Sequence, residues 1–529
     1  MVIASAALQT LIFPLPNLYF LSWIALVPLL LAVMNGRRPE TLQFTEGGKL
    51  LPCRPWQAFL LAYVCGILWY AGTCYWVYNT MHEYGGLSAL AAFGVLILFC
   101  LYLALYHGLF GLVFRLVADS NSFSRAALLL SPVIWVAVEL ARTRISGFPW
   151  NLLGISQVDN IPLSRISTFA GVYGLSFEIM VVNAAFAAAF LVRRERRNSL
   201  LLAAVAAAVV LQAGSLVNPP RLSADRVATL VQSNIPVLDE HDWTHDYFQT
   251  TVQELSRLGA GSNGNALHSD LIVWPESPAP FYEDDASFRN ALSNVARQTG
   301  SWVLAGDVTV YDAGKPRQTL FNSASLVGPS GDWVARYDKV HLVPFGEYVP
   351  FKRIFSFAGG LTAQVGDFSA GTSRAPLEAG QTKLGVFICY ESIFPDEIRR
   401  FAKNGAQVFV NLSNDGWYGD SGAFAQHLKQ SRMRAVENSR WLLLDTNTGV
   451  TASADPYGRI VASVPRKIRT SLEAPYSLSS ETTFYTRHGD WFAYLCAIIS
   501  ILALLTRLPF IKRKIDTLWS ENSNKNTQR

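Results

Sequence analysis

Leu384-Gly385-Val386-Phe387-Ile388-Cys389-Tyr390-Glu391 decides how this chain reads. An apolar, strand-like run ends on a thiol, and two polar residues follow it. Upstream, Leu271-Ile272-Val273-Trp274 ends the same way, on Pro275-Glu276-Ser277. Between them lies Tyr337-Asp338-Lys339-Val340-His341. A carboxylate, an ammonium and a thiol at strand ends suggest acyl transfer. A thiol attacks as the thiolate and needs a base or positive surroundings. Cys389 has no His in its local motif, so Glu276 and Lys339 are the candidates for base and charge. Each residue also has a plain structural explanation. A lone Cys after an apolar strand is more often a small core residue. Glu276 alone reads as a loop carboxylate and Lys339 as a surface lysine. Asn411-Leu412-Ser413-Asn414-Asp415-Gly416-Trp417 reads as a strand ending in a turn.

Further out, the texture changes. Cys389 is the only cysteine between residues 226 and 478, whereas Cys53, Cys65, Cys74, Cys100 and Cys496 lie in or beside greasy stretches. One thiol cannot form a disulfide within that polar block. Half of the 529 residues are hydrophobic and 16% are charged, with mean hydropathy +0.22. That composition fits a membrane protein with a water-exposed part. Apolar spans are expected near 1–14, 17–35, 57–79, 87–114, 125–142, 166–192, 199–217 and 489–508. The first is short and runs into Pro14 and Pro16, and it lacks a signal peptide's basic start and cleavage site. Basic clusters at Arg37-Arg38, Arg193–Arg197 and Lys512-Arg513-Lys514 border apolar spans and mark cytoplasmic loops, which places the polar block outside. The net charge of +5 therefore points to membrane topology, and no aromatic-interleaved basic stripe suggests nucleic acid.

Domain boundaries follow: membrane helices over 1–219, an α/β domain over 226–478, a last span at 489–508 and a cytoplasmic tail at 509–529. Within the α/β domain, strands are expected at Val227–Gln232, Asp270–Trp274, Trp302–Gly306, Leu384–Cys389 and Gln407–Leu412. Helices are expected over 286–299, 394–404 and 423–438. Metal chemistry has little support: His241 and His245 are spaced i, i+4 without a third ligand nearby. No Walker loop, Rossmann glycine fingerprint or Gly-x-Ser-x-Gly elbow is present.

The ordered set Trp274-Pro275-Glu276, Tyr337-Asp338-Lys339 and Cys389-Tyr390-Glu391 resembles the nitrilase superfamily. Gly147-Phe148-Pro149-Trp150-Asn151, His341–Pro350 and Ser413-Asn414-Asp415-Gly416-Trp417 narrow the likeness to the bacterial apolipoprotein N-acyltransferases. The resemblance covers nearly the whole chain; the short first span is its main departure. It implies an αββα sandwich on a bundle of about eight transmembrane helices in the bacterial inner membrane, with the catalytic domain facing the periplasm. It implies transfer of an acyl chain, typically from the sn-1 position of phosphatidylethanolamine, through a cysteine thioester. The acceptor would be the free α-amine of a diacylglyceryl-cysteine lipoprotein. The enzyme would work as a monomer without cofactor or metal. Carried over residue by residue, Cys389 is the nucleophile, Glu276 the general base and Lys339 the oxyanion partner. Glu347 orients both, Tyr390 and Glu391 support the nucleophile, and Trp243 and Trp417 lie on loops over the site. Phe351, Ile354, Phe355, Phe357 and Leu361, with Lys352 and Arg353, read as an arm dipping into the outer leaflet. Two other readings remain: a membrane-tethered nitrilase-type amidase, and a transporter with an outer regulatory domain.

Overall fold

Alternate side chains along Leu271–Trp274 enter different cores. Leu271 and Val273 join one buried cluster with Leu230, Leu304, Val386 and Leu412, while Ile272 and Trp274 join another with Phe288 and Val295. A strand buried on both faces lies in a layered α/β fold. The computed structural model describes residues 1–34, 53–118, 124–191, 194–237, 243–261, 269–276, 281–312, 318–348 and 368–507.

Two six-stranded sheets form the inner layers. The first holds β1 (Arg226–Gln232), β2 (Leu271–Trp274), β3 (Trp302–Tyr311), β4 (Thr319–Val327) and β5 (Trp333–Asp338). The second holds β6 (Leu377–Ala379), β7 (Thr382–Ile388), β8 (Val408–Ser413), β9 (Leu442–Thr446), β10 (Ala452–Ala454) and β11 (Ile460–Ser463). The last strand, β12 (Thr470–Tyr476), returns to the first sheet and pairs antiparallel with β1. The orders are β12-β1-β2-β3-β4-β5 and β11-β10-β9-β8-β7-β6. In each sheet the central strands, β1-β2-β3 and β7-β8-β9, run parallel. Helices His245–Ala260 and Ala286–Thr299 accompany the first sheet, and Pro395–Lys403 and Ala423–Asn438 the second. This is a nitrilase-like sandwich. The five strands and three helices read from the sequence lie within a few residues of observed elements, except that β3 continues to Tyr311; β4, β5, β6, β9 to β12 and the helix His245–Ala260 were not among them.

On the membrane side, three helices are long and apolar enough to cross a bilayer among the described residues: Ala89–Val117, Val172–Leu191 and Arg196–Leu216. A fourth is available if Pro55–Thr73 and Trp76–Tyr84, bent by 56°, count as one span. Length and composition thus give three or four crossings here, fewer than the eight expected. The shortfall has physical causes. Residues 1–14 form only Val2–Leu11, about 15 Å long at 1.5 Å per residue, against a hydrocarbon thickness of about 30 Å. The stretch 17–35 breaks into a 3₁₀ turn, Tyr19–Trp23, and the helix Val27–Met34. Trp491–Leu505 is also short.

These helices and the sandwich share one apolar core. Phe13, Trp69, Phe110 and Trp150 cluster with Tyr390, Ile393, Tyr418 and Met433. The helix Ala423–Asn438 lies at the junction and is buried along nearly its whole length. Its polar side chains are consequently paired across the junction. Lys429 and Arg432 each reach Asp159 at 2.7 Å, and Glu437 accepts from the N–H of Val172 at 2.9 Å. Gln426 accepts from Trp150 Nε1 at 2.6 Å, and Gln430 from the N–H of Asn151 at 3.3 Å.

Candidate active site

The chemistry gathers at the carboxyl ends of strands, where open α/β sheets carry their sites. Glu276 lies two residues past β2, Lys339 directly past β5 and Cys389 directly past β7. All three are buried, Lys339 to 1% exposure. The surface-lysine reading of Lys339 is therefore wrong. The backbone makes the sharpest turn at Cys389, whose φ of 49° lies in the left-handed region. Few side chains other than glycine adopt it, and such strain concentrates at functional sites. It lets β7 stop and the short 3₁₀ turn Cys389–Ile393 begin.

Lys339 Nζ donates to Glu276 Oε1 at 3.2 Å and to Glu347 Oε1 at 2.8 Å. Asn322 Nδ2 donates to the same two oxygens, at 2.8 and 2.7 Å. The other oxygens are fixed from the backbone: the Asn414 N–H donates to Glu276 Oε2 at 2.8 Å, and the Val343 N–H to Glu347 Oε2 at 2.8 Å. Burial disfavours the ammonium, but Glu276, Glu347 and Cys389 outweigh it and hold Lys339 firmly charged. The thiol goes the other way. Burial, then Glu276 and Asp415, push the Cys389 pKa well up, against the opposing pull of Lys339 and Ser413. The resting sulfur therefore keeps its proton, and attack requires a base beside it.

Glu391 ties these elements together. Its Oε1 accepts from the N–H groups of Val340 at 2.8 Å and His341 at 3.0 Å, and its Oε2 from the N–H of Ile388 at 2.7 Å. Tyr337 donates to both oxygens, at 2.7 and 2.9 Å. One carboxylate thus binds the segment after Lys339 to the strand before Cys389. Tyr390 donates its hydroxyl to the Gly147 carbonyl at 3.0 Å, which places the 147–151 loop against the turn that carries the thiol.

The two tryptophans part company. Thr80 donates to the Trp417 carbonyl at 2.9 Å, and the Trp417 ring meets Tyr84 edge-on at 5.5 Å, so this loop is tied to the bent membrane helix. Trp243 packs on Tyr247 and Phe281, against the cluster between the first sheet and its helices. That placement follows its helix start at Thr244. The expected arm, Phe351 to Leu361, lies outside the described residues, as does His241.

Asn322 was not legible from sequence. It is one polar residue within β4, and only the antiparallel register, Ser323 opposite Asp338, sets it beside Lys339. His427, at the Cys389 carbonyl, escaped notice for the same reason, while Asp415, which pairs with it, was read only as part of the 413–417 turn.

The site supplies a carboxylate proton acceptor, a fixed cation and a protonated thiol in a buried cluster. That set suits acyl transfer through sulfur. Residues 5–185 match the model of the apolipoprotein N-acyltransferase N-terminal domain, and residues 227–482 match that of carbon-nitrogen hydrolases. A Geobacter metallireducens protein named apolipoprotein N-acyltransferase is 34% identical over 525 residues, 97% of this chain and 96% of its own length. This chain belongs to the apolipoprotein N-acyltransferase family. A relative of the same name from Methylococcus capsulatus is 36% identical over 454 residues, covering 84% of this chain and 87% of that one. Among solved structures, an amidase from Nesterenkonia sp. AN1 aligns at 19% identity over 51% of this chain and 98% of its own, with a TM-score of 0.36.

Proposed function

We propose that this family member transfers an acyl chain from a phospholipid to the N-terminal α-amine of diacylglyceryl-cysteine lipoproteins, with Cys389 as the carrier. The observation that carries the reading is the buried Glu276–Lys339–Glu347 cluster, with its protonated thiol, on a sandwich whose core continues into apolar helices.

In the first half-reaction, Glu276 takes the thiol proton while sulfur attacks the ester carbonyl. The oxyanion forms facing Lys339 and a backbone N–H near Tyr390. Collapse breaks the ester bond, and Glu276 returns its proton to the departing oxygen of the lysophospholipid. In the second half-reaction, the neutral α-amine attacks the thioester and gives a proton to Glu276. Collapse expels the Cys389 sulfur, which takes that proton back. The thioester stores the acyl group between two large lipids that need not bind together, so ping-pong kinetics follow. The phospholipid is phosphatidylethanolamine and the working unit a monomer. The helices form an eight-pass bundle over 1–219 and 489–508 in the inner membrane, with the 226–478 domain in the periplasm and the 509–529 tail in the cytoplasm. Trp417 and Trp243 belong to loops that border substrate entry.

The test is conversion. Purified protein in detergent, given phosphatidylethanolamine and a diacylglyceryl peptide with a free N-terminus, should yield triacylated peptide and an equal amount of lysophospholipid. Blocking the peptide amine should stop peptide acylation but leave the thioester. Release of ammonia from small amides, with the lipopeptide untouched, would replace this reading with a membrane-tethered amidase.

A further inference from the structure

A closed circuit of polar groups lies beneath the thiol, centred on a histidine that no sequence motif singled out. His427, on the helix Ala423–Asn438, is wholly buried. Its Nε2 is 3.1 Å from the Cys389 carbonyl oxygen and 2.7 Å from Ser392 Oγ. Its Nδ1 is 3.2 Å from Asp415 Oδ1. That same carboxylate oxygen accepts from Ser413 Oγ at 2.8 Å, and Ser413 stands beside the Cys389 thiol. The circuit therefore leaves Cys389 at its sulfur and returns at its carbonyl.

The contacts favour a charged ring. A carbonyl oxygen only accepts, so Nε2 must carry hydrogen to bond it. Nδ1 lies at ion-pair distance from Asp415 Oδ1 without an aligned hydrogen bond, and that neighbouring carboxylate favours the cation through charge. The surroundings agree. Burial disfavours the cation, but Asp415, the Cys389 carbonyl and more distant Glu276 outweigh it. The other groups facing the ring are the phenol of Tyr418, with ring centres 6.2 Å apart, and the parallel ring of Trp150 at 6.4 Å. Asp415 is itself confined: a side chain at Gly449 would come within 2.3 Å of its Oδ2.

We propose that His427 is a positioning residue for the nucleophile: an imidazolium, held by Asp415, that grips the Cys389 carbonyl and keeps the left-handed turn that presents the thiol. It touches no substrate. It acts on geometry by fixing the peptide after Cys389, and on charge by placing a second cation near sulfur, apart from Lys339. The inference rests on Cys389 being the nucleophile.

Two measurements on the full-length protein in detergent separate the parts. The first is single-turnover thioester formation from phosphatidylethanolamine. His427→Phe removes both donors and should slow it by about a hundredfold, the usual cost of a misplaced reacting group. His427→Gln keeps an N–H donor toward the carbonyl and should recover to within about tenfold of wild type. The second is the pH midpoint of Cys389 alkylation by iodoacetamide. His427→Gln lacks the charge, so its midpoint should rise by about one unit. Wild-type thioester formation in His427→Phe would overturn the positioning role, and an unmoved midpoint in His427→Gln would overturn the charge. Where His427→Phe does not fold, the Gln variant carries the test. Cys389→Ala runs alongside: a thioester surviving there would sink the nucleophile assignment itself, independently of His427.

Discussion

Cys389 combines three conditions that rarely meet: burial, a left-handed backbone and a raised thiol pKa. A sulfur that holds its proton at rest depends on its base, so Glu276→Gln should cut thioester formation by roughly two orders of magnitude or more. Lys339→Met, which removes the cation facing the oxyanion, should cost about as much. Cys389→Ala should leave no hydroxylamine-sensitive adduct after incubation with phospholipid. Intact-mass spectrometry of the three variants checks all of this. Normal adduct formation in both the Glu276 and Lys339 variants would place the chemistry elsewhere. A neighbouring group makes a pH prediction. Burial, with the charges of Arg374 and Lys339, pushes the His341 pKa down to about 4. The unfolded chain, titrating near 6.5, binds more protons between those values, so stability falls as pH drops from about 6.5 to 4. The full loss is on the order of 3 kcal/mol. His341→Asn, which does not titrate, should flatten that part of the melting-temperature profile. An equally steep profile in the variant would show that other groups cause the loss.

At the scale of elements, one carboxylate does the joining. Glu391 receives N–H groups from Val340, His341 and Ile388. Glu391→Gln turns an NH₂ toward N–H donors and strands at least one of them. The expected cost is on the order of 3 kcal/mol, read as a lower melting temperature, with activity falling alongside as Lys339 and Cys389 drift apart. An unchanged melting temperature would mean that the staple is redundant. Much at this scale was legible in the sequence. Glu276 and Cys389 each follow an apolar run closely, and a strand's end is visible there as an end of hydrophobicity; Lys339 follows a polar and aromatic run, Arg336-Tyr337-Asp338, and stood out only as part of the ordered set. Strand register was not legible. Asn322 and His427 reach the site only through pairing and packing between segments distant in sequence, and neither carries a local signature. Trp243 packs where its helix starts: Thr244 caps the helix at Tyr247, and the indole lies against Tyr247 and Phe281.

Over the whole molecule, topology is read from greasy segments and the charges between them. Hydropathy locates the segments but does not register breaks within them. Pro14 and Pro16 follow the end of Val2–Leu11, and the 57–79 stretch bends by 56°. The basic loops predict the domain outside. All six native cysteines are buried, so a cysteine at Val334, itself 50% exposed, gives a clean reporter. In spheroplasts of cells expressing Val334→Cys, an impermeant maleimide should label the protein without lysis. Labelling only after lysis would reverse the orientation.

The junction helix Ala423–Asn438 has a consequence for biogenesis. With the sheet on one side and the bundle on the other, it has no face suited to water. A separately expressed 226–478 fragment would present Gln426, Lys429, Gln430 and Arg432 without their partners Trp150, Asp159 and Asn151. Residues 1–219 leave the ribosome first, so on the proposed topology the nascent sandwich would mature on a scaffold already seated in the bilayer, with Trp491–Leu505 closing behind it. Chain order would then be an assembly programme, and circular permutants that reverse it should accumulate as protease-sensitive intermediates even with every native contact still encoded.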